Sequence, residues 1–173
     1  MSGIAKGGAG FTHEAPGGGT PEWYTPPWVF EAMGCNFGLD PCHPLVRLPW
    51  IPAIDVMTIQ QDGLKTPWPA GSFVWMNPPY GKDTPTWLSK LASHGSGVAL
   101  VFARTDCGWF HEHVSRSSAF LLLSGRVRFV DAQGEMGGSP GSGSMLVGYG
   151  PRGVFALRRF HAARGGMLVT RWD

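Results

Sequence analysis

The sequence predicts an α/β domain built on a mixed sheet, and three observations lead there. Helical and strand-like patterns alternate through the first two thirds of the chain. Within that region "GVALVFA" (97–103) is a continuous apolar run, the pattern of a strand buried on both faces of a parallel sheet. Beyond it come "AFLLL", "RVRFV", "SMLVGYG", "VFALRRF" and "MLVTRW", short strand-like segments with no helical pattern between them. They read as an antiparallel tail that closes the domain.

Taken in order, residues 1–20 are Gly-rich with little periodicity and read as a flexible arm. The single domain then spans 21–173. From Thr25 a helix is signalled, with Thr25 at the cap, Pro26 at the first helical position, Trp28, Val29 and Met33 apolar, and Gly34 as the stop. "NFGLDP" is a short strand ending at Asp40-Pro41, "PAIDVMTI" a second with Asp55 inside it, and "SFVWM" a third. "DTPTWLSKLASHG" is a helix with Asp83 as cap, Trp87, Leu88 and Leu91 on one face and Gly95 at its end. A further short helix covers "GWFHEHVSR" with Asp106 as cap. The Gly/Ser stretch 131–144 reads as a mobile loop. In a sheet whose strand order reverses, ligands bind in the crevice at the carboxyl ends of the strands. Asp40, Asp55 and Asn77 all fall near such ends.

At 173 residues the chain suits one domain with a sizeable core. Hydrophobic content is 43%, while charged residues make up only 15%, and 26 Gly with 15 Pro imply many turns. No apolar run approaches the ~20 residues of a membrane-spanning helix, and the N-terminus has no secretory pattern. Cys35, Cys42 and Cys107 are unevenly spaced without CxxC, which argues against a disulfide framework or zinc site and for a reducing cytoplasm. His111 and His113 stand two apart on a helical pattern, hence on different faces, so no metal is expected there.

Charge is unevenly distributed. Residues 1–103 carry five Lys/Arg against seven Asp/Glu, whereas 104–173 carry nine Arg, no Lys and five acids. An all-Arg basic half suits phosphate contact, since guanidinium forks pair bidentately with phosphate oxygens; the alternative is a solvated basic surface.

The stretch "FVWMNPPYG" (73–81) carries the chemistry. Each proline restricts the residue before it and fixes its own φ, and neither has an N–H to offer. What remains is an acceptor-rich turn made of the Asn77 side-chain oxygen and the Pro78 carbonyl. Two acceptors side by side match an –NH2 group, and Tyr80 adds a ring able to stack on a heteroaromatic base for ~1–3 kcal/mol. Holding both amine hydrogens favours a pyramidal nitrogen whose lone pair points at an electrophile, which stabilises developing positive charge. A sulfonium methyl, as in S-adenosylmethionine, is the natural electrophile. The alternative is a diproline turn that merely ends a strand.

These residues, with "EWYTPPWVFEAM", "FGLDPC", "DGLKTPW", "PTWLSK", "ALVFARTDCGWFHEHV" and "SGRVRF" in the same order, resemble the phage-type Dam family of DNA N6-adenine methyltransferases over about residues 22–130. The resemblance implies a class I (Rossmann-like) S-adenosylmethionine-dependent methyltransferase fold and a catalytic Asn77-Pro78-Pro79-Tyr80. It implies that Tyr24, Thr25 and Pro26 hold the methionine end of the cofactor, and that Asp40 with Pro41 lies near its amino group. Pro41, Cys42 and His43 stand where many methyltransferases carry a Gly-rich loop. Asp55 and Asp62 are candidates for the ribose hydroxyls and the cofactor's adenine amine, with solvated loop acids as the alternative; Asn77 also borders the cofactor.

Lys82, Arg104, Thr105, Arg126 and Arg128 are the candidate nucleic-acid contacts, the last two sharing one face through alternation with Val127 and Phe129. Phe129 is a candidate for closing the base pocket, although a core position is the expected one, and Trp109 is expected in the core. The implied activity is methyl transfer to adenine N6 in duplex or single-stranded DNA with short or relaxed sequence preference. The rivals are another planar amine (an RNA base or a protein glutamine) and a non-catalytic nucleic-acid-binding module of the same fold.

Overall fold

A computed structural model describes residues 23–171 except 132, so the arm expected over 1–20 lies outside the described residues. Seven strands, β1 (Phe37–Asp40), β2 (Ala53–Val56), β3 (Val74–Met76), β4 (Gly97–Phe102), β5 (Ala119–Leu122), β6 (Ser144–Tyr149) and β7 (Met167–Thr170), form one sheet in the order β2-β1-β3-β4-β6-β5-β7. β2, β1, β3 and β4 are mutually parallel; β6, β5 and β7 add antiparallel. The sheet is mixed with an antiparallel C-terminal part, as the sequence predicts.

Alternate residues of the central strands serve two cores. Trp75, Val98, Leu100 and Leu146 face one side, and Val74, Met76, Ala99, Val101, Met145 and Val147 the other. This is why these strands read as unbroken apolar runs. Helix α1 (Pro27–Met33) and helix α3 (Gly150–Arg164) cover the first side; helix α2 (Thr84–His94) and a π-helical turn (Phe110–Val114) cover the second. Aromatic packing fixes the first core: Phe30 meets Trp75 edge-on at 4.8 Å and Phe37 stacks on Phe73 at 4.9 Å.

Several local expectations shift. Pro26, not Thr25, is the cap of α1, with Pro27 at the first helical position and left-handed Gly34 (φ 57°) ending it. Asp83 occupies the cap of α2 but makes no capping bond, while the Thr84 hydroxyl instead accepts the Gly81 N–H at 3.3 Å. The short helix after β4 is a π-helical turn preceded by Trp109, not one capped by Asp106. "RVRFV" forms no ladder strand; Val130 alone in it bridges to Tyr24 and Met136. The clearest correction is "VFALRRF", which lies in α3. The buried residues of α3, Gly153, Ala156, Leu157 and Phe160, recur at 0, 3, 4 and 7, a helical period hidden by the neighbouring strand-like segments.

Residues 133–143 form no strand or helix beyond the Met136 bridge. Asp131 folds the start of this stretch by accepting the N–H groups of Gln133 and Glu135, both at 2.9 Å. The three cysteines are free. Among the described residues no helix is long and apolar enough to cross a membrane, and no group of His, Cys, Asp and Glu is arranged to hold a metal.

Candidate active site

The strand order turns back at β1: β2 lies on one side of it and β3 on the other. That reversal opens a crevice above the carboxyl ends of β1 and β3, which fall at Asp40 and Met76. A cavity of about 780 Å³ occupies this place, walled by Pro41, Cys42 and His43 after β1 and by Asn77 through Tyr80 after β3. Its volume falls in the range of small-molecule sites, roughly 300–1,000 Å³.

The diproline turn contributes unpartnered polar atoms to this wall. Asn77 Oδ1 is buried and has no hydrogen-bond partner, and the Tyr80 hydroxyl is buried and unpartnered as well. Such atoms are costly when nothing meets them, about 1–3 kcal/mol each. Three of the four buried side-chain polar atoms without partners among the described residues belong to Asn77, Tyr80 and His43, all in the wall of this cavity. The fourth, Ser144 Oγ, begins β6. Tyr80 is backed on one face by Phe102, with ring centroids 4.0 Å apart and planes 17° from parallel. Burial pushes its phenol well above the ordinary 10.0, so the hydroxyl stays protonated. Phe129 meets Tyr80 edge-on at 6.0 Å and walls the cavity while also packing in the core, the position expected for it.

Two other motifs converge here. The "DGLK" loop reaches the cavity through Asp62, Gly63 and Leu64. Asp62 has the described chain's one positive φ outside glycine (49°) and accepts the N–H groups of Leu64 and Lys65 at 3.2 and 3.4 Å. Its Oδ2 lies 2.7 Å from Lys65 Nζ, and this hydrogen bond holds the carboxyl below its usual range. Lys90 of α2 anchors the loop by donating to the carbonyls of Gly63, Leu64 and Thr66 at 2.9, 2.9 and 2.7 Å. No local pattern marks this lysine beyond its place on a helix, because its partners lie 24 to 27 residues away.

The second motif is "LDPCH". Asp40 is buried; its Oδ1 accepts the Cys42 N–H at 3.0 Å and its Oδ2 lies 2.8 Å from His43 Nδ1. Burial raises the Asp40 carboxyl, and the His43 and Cys42 bonds oppose that rise. Burial and the Asp40 charge push the Cys42 thiol well above its ordinary value, which keeps it protonated and inert. His43, with only 3% of its surface exposed, stands in the cavity wall, whereas Asp40 behind it does not.

Of the sequence-derived site residues, the cavity brings together Pro41, Asp62, Asn77, Pro78, Pro79 and Tyr80. Tyr24, Thr25 and Pro26 are buried beside it without lining it; the Tyr24 backbone pairs with Val130, and Trp50 Nε1 donates to the Thr25 carbonyl at 3.1 Å. Trp23, next in line, does line it. Asp55 is exposed on edge strand β2 and does not reach the wall. Sequence reading missed His43, Trp23 and Asp83 as wall residues. The position of His43 three residues after Asp40 at a strand end was the available signal.

Lys82, Arg104, Thr105, Arg126 and Arg128 are all exposed, and Arg126 and Arg128 alternate with buried Val127 and Phe129. Arg128 donates from Nε and Nη2 to the Gly137 carbonyl at 3.1 and 3.0 Å, and Arg126 donates to that of Pro140. The two arginines thereby tether the Gly/Ser stretch. Among the described residues no arginine sits within salt-bridge distance of a carboxylate, so this positive charge is uncompensated by carboxylate partners. Trp109 is only partly buried, packed against the second core.

A size-matched cavity, unpartnered buried acceptors and nearby carboxyl groups fit S-adenosylmethionine beside a planar amine. A family model described as DNA N-6-adenine-methyltransferase (Dam) matches residues 18–152. No curated protein and no solved structure matches the chain.

Proposed function

The chain belongs to the DNA N-6-adenine-methyltransferase (Dam) family, and from that premise we propose that its Asn77–Tyr80 turn is the catalytic centre for methylation of adenine N6. The family assigns the broad activity, methylation of DNA adenine at N6, and the mixed sheet is that of a Rossmann-like methyltransferase. S-adenosylmethionine, the cofactor normal for such enzymes, supplies an electrophilic methyl group on sulfonium sulfur. Everything else here falls to the chain's own residues.

The observation that carries the residue assignment is the buried, unpartnered Asn77 Oδ1 in the cavity wall. Asn77 Oδ1 and the Pro78 carbonyl accept the two hydrogens of the exocyclic amine and hold its lone pair toward the methyl carbon. With the cofactor bound, N6 would take the methyl group while the C–S electron pair stayed with sulfur, and the surplus N6 proton would pass to water. Asn77 and Pro78 are preorganised for this, because prolines at 78 and 79 remove the local freedom that would otherwise be lost at the transition state. Tyr80, backed by Phe102, and Phe129 frame the base. Asp62 faces the cofactor side. A base in duplex DNA leaves the stack to reach this depth, at a cost of a few kcal/mol, so single strands and mismatches are favoured substrates.

Short or relaxed target preference belongs to the same proposal, because the candidate contacts are mostly basic side chains suited to phosphate, which carries no sequence information. Lys82, Arg104, Thr105, Arg126 and Arg128 provide backbone contacts with steep salt dependence. The test is incubation with methyl-labelled cofactor and, in parallel, DNA, RNA and protein, followed by nucleoside and amino-acid analysis. Label in N6-methyldeoxyadenosine is expected. Label confined to RNA or glutamine would reject the substrate, and failure to bind cofactor would leave a binding module.

A further inference from the structure

The Asp40–His43 pair leaves a further buried, unpartnered atom on a residue of the cavity wall. His43 Nδ1 is engaged at 2.8 Å by Asp40 Oδ2, and His43 Nε2 is buried with no partner. Asp40 does not line the cavity, but His43 does. The other Asp40 oxygen accepts a backbone N–H, so both oxygens face donors, the arrangement of a carboxylate. An imidazole that gives its Nδ1 hydrogen to a carboxylate carries its lone pair on Nε2. With Nδ1 as the donor in that bond, the neutral ring presents an acceptor at Nε2.

Charge decides what that acceptor is for. Asp40 is buried and no Lys or Arg among the described residues pairs with it. A buried carboxylate without a cation is unfavourable, and a neutral imidazole in front of it passes its negative potential on to whatever touches Nε2. A cationic N–H donor satisfies the orphaned nitrogen and compensates the carboxylate at once, whereas a hydroxyl does only the first.

We propose that His43, held by Asp40, is the acceptor for the α-ammonium group of the cofactor's amino-acid arm, a role carried in this chain by an imidazole relay in place of a Gly-rich loop. This rests on the reading of the cavity as the cofactor site. His43 is a binding residue and takes no part in methyl transfer.

The experiment is calorimetric titration with two probes, S-adenosylhomocysteine, which keeps the amino-acid arm, and 5′-methylthioadenosine, which lacks it. His43→Phe is expected to weaken the first by about 10- to 100-fold, the range for a hydrogen bond to a charged group, and the second by less than about 3-fold. His43→Gln, which keeps an acceptor, should recover part of the loss. Equal losses for both probes, or no loss, would overturn the proposal while leaving the cofactor site intact. Wild-type protein that binds neither probe would overturn the underlying reading and this inference with it. Because His43→Phe removes a buried polar pair and could unfold the chain, long-range ¹H–¹⁵N spectra of the wild-type histidines give an independent readout. Expected are a protonated Nδ1, a bare Nε2, and an Nε2 shift on adding S-adenosylhomocysteine but not 5′-methylthioadenosine. A protonated Nε2 in the free protein would reject the acceptor role.

Discussion

Gly63 lies against the main-chain carbonyl of Pro41 with no room for a side chain: a Cβ at 63 would run into that oxygen and come within 3.0 Å of the Trp87 ring. The contact joins the loop carrying Asp62 to the turn carrying Asp40 and His43, and both segments contribute to the cavity wall. Glycine here serves close approach, not an unusual φ. Gly63→Ala should therefore overpack the junction, costing about 1–3 kcal/mol. For a chain of this size that is a fall of roughly 2–10 °C in Tm, checked by thermal melting. S-adenosylhomocysteine affinity should fall with it; an unchanged melting curve would refute the junction.

Asn77→Ala should lower methyl transfer by about 100- to 1,000-fold, the range for removing one preorganised polar group from a reacting centre. Far-UV circular dichroism and S-adenosylhomocysteine affinity should stay near wild type, because Oδ1 has no partner within the protein. Retained turnover would remove Asn77 from the chemistry.

Tyr80 divides into ring and hydroxyl. Tyr80→Phe deletes a buried hydroxyl that has no partner, so the free protein should be as stable as wild type or more so. Tyr80→Ala should weaken adenine-containing single strands by about 1–3 kcal/mol through the absence of stacking.

Burial raises the Tyr80 phenol, meaning its neutral form is favoured in the folded state. The Tyr149 phenol is raised for the same reason. Ultraviolet titration of the native protein should therefore show neither ionising up to pH 10, and the pH–rate profile should have no descending limb from Tyr80 below that point. A phenolate signal from a folded chain at pH 9 would contradict the burial.

Arg126 and Arg128 hold loop carbonyls yet have no carboxylate partner among the described residues. Replacing both by alanine should reduce the slope of log binding constant against log salt by about 1–2, near 0.9 for each duplex phosphate that is no longer neutralised. Fluorescence anisotropy of a labelled oligonucleotide across potassium chloride concentrations measures this. An unchanged slope would confine the pair to tethering residues 137–140.

The sequence by itself determined most of the alternating part of the fold. Caps, stops and apolar runs are local signals, and β1, β3, α2 and β4 appear where those signals lie. It also determined the rigidity of the Asn77-Pro78-Pro79-Tyr80 turn, because diproline restriction is a property of consecutive residues. The tail was less legible: in "VFALRRF" a helical burial period competes with strand-forming residues, and only packing of α3 against the sheet and α1 resolves it.

Tertiary structure decided which acids face the cavity. Asp55 and Asp62 look alike in the sequence, yet an edge-strand position exposes one and a loop pinned by Lys90 brings the other to the wall. It decided as well that Asp40 stands behind His43 and not in the wall. Whether a side chain lines a cavity or stands one layer back depends on neighbours distant in the chain, and local residue pattern carries no record of them.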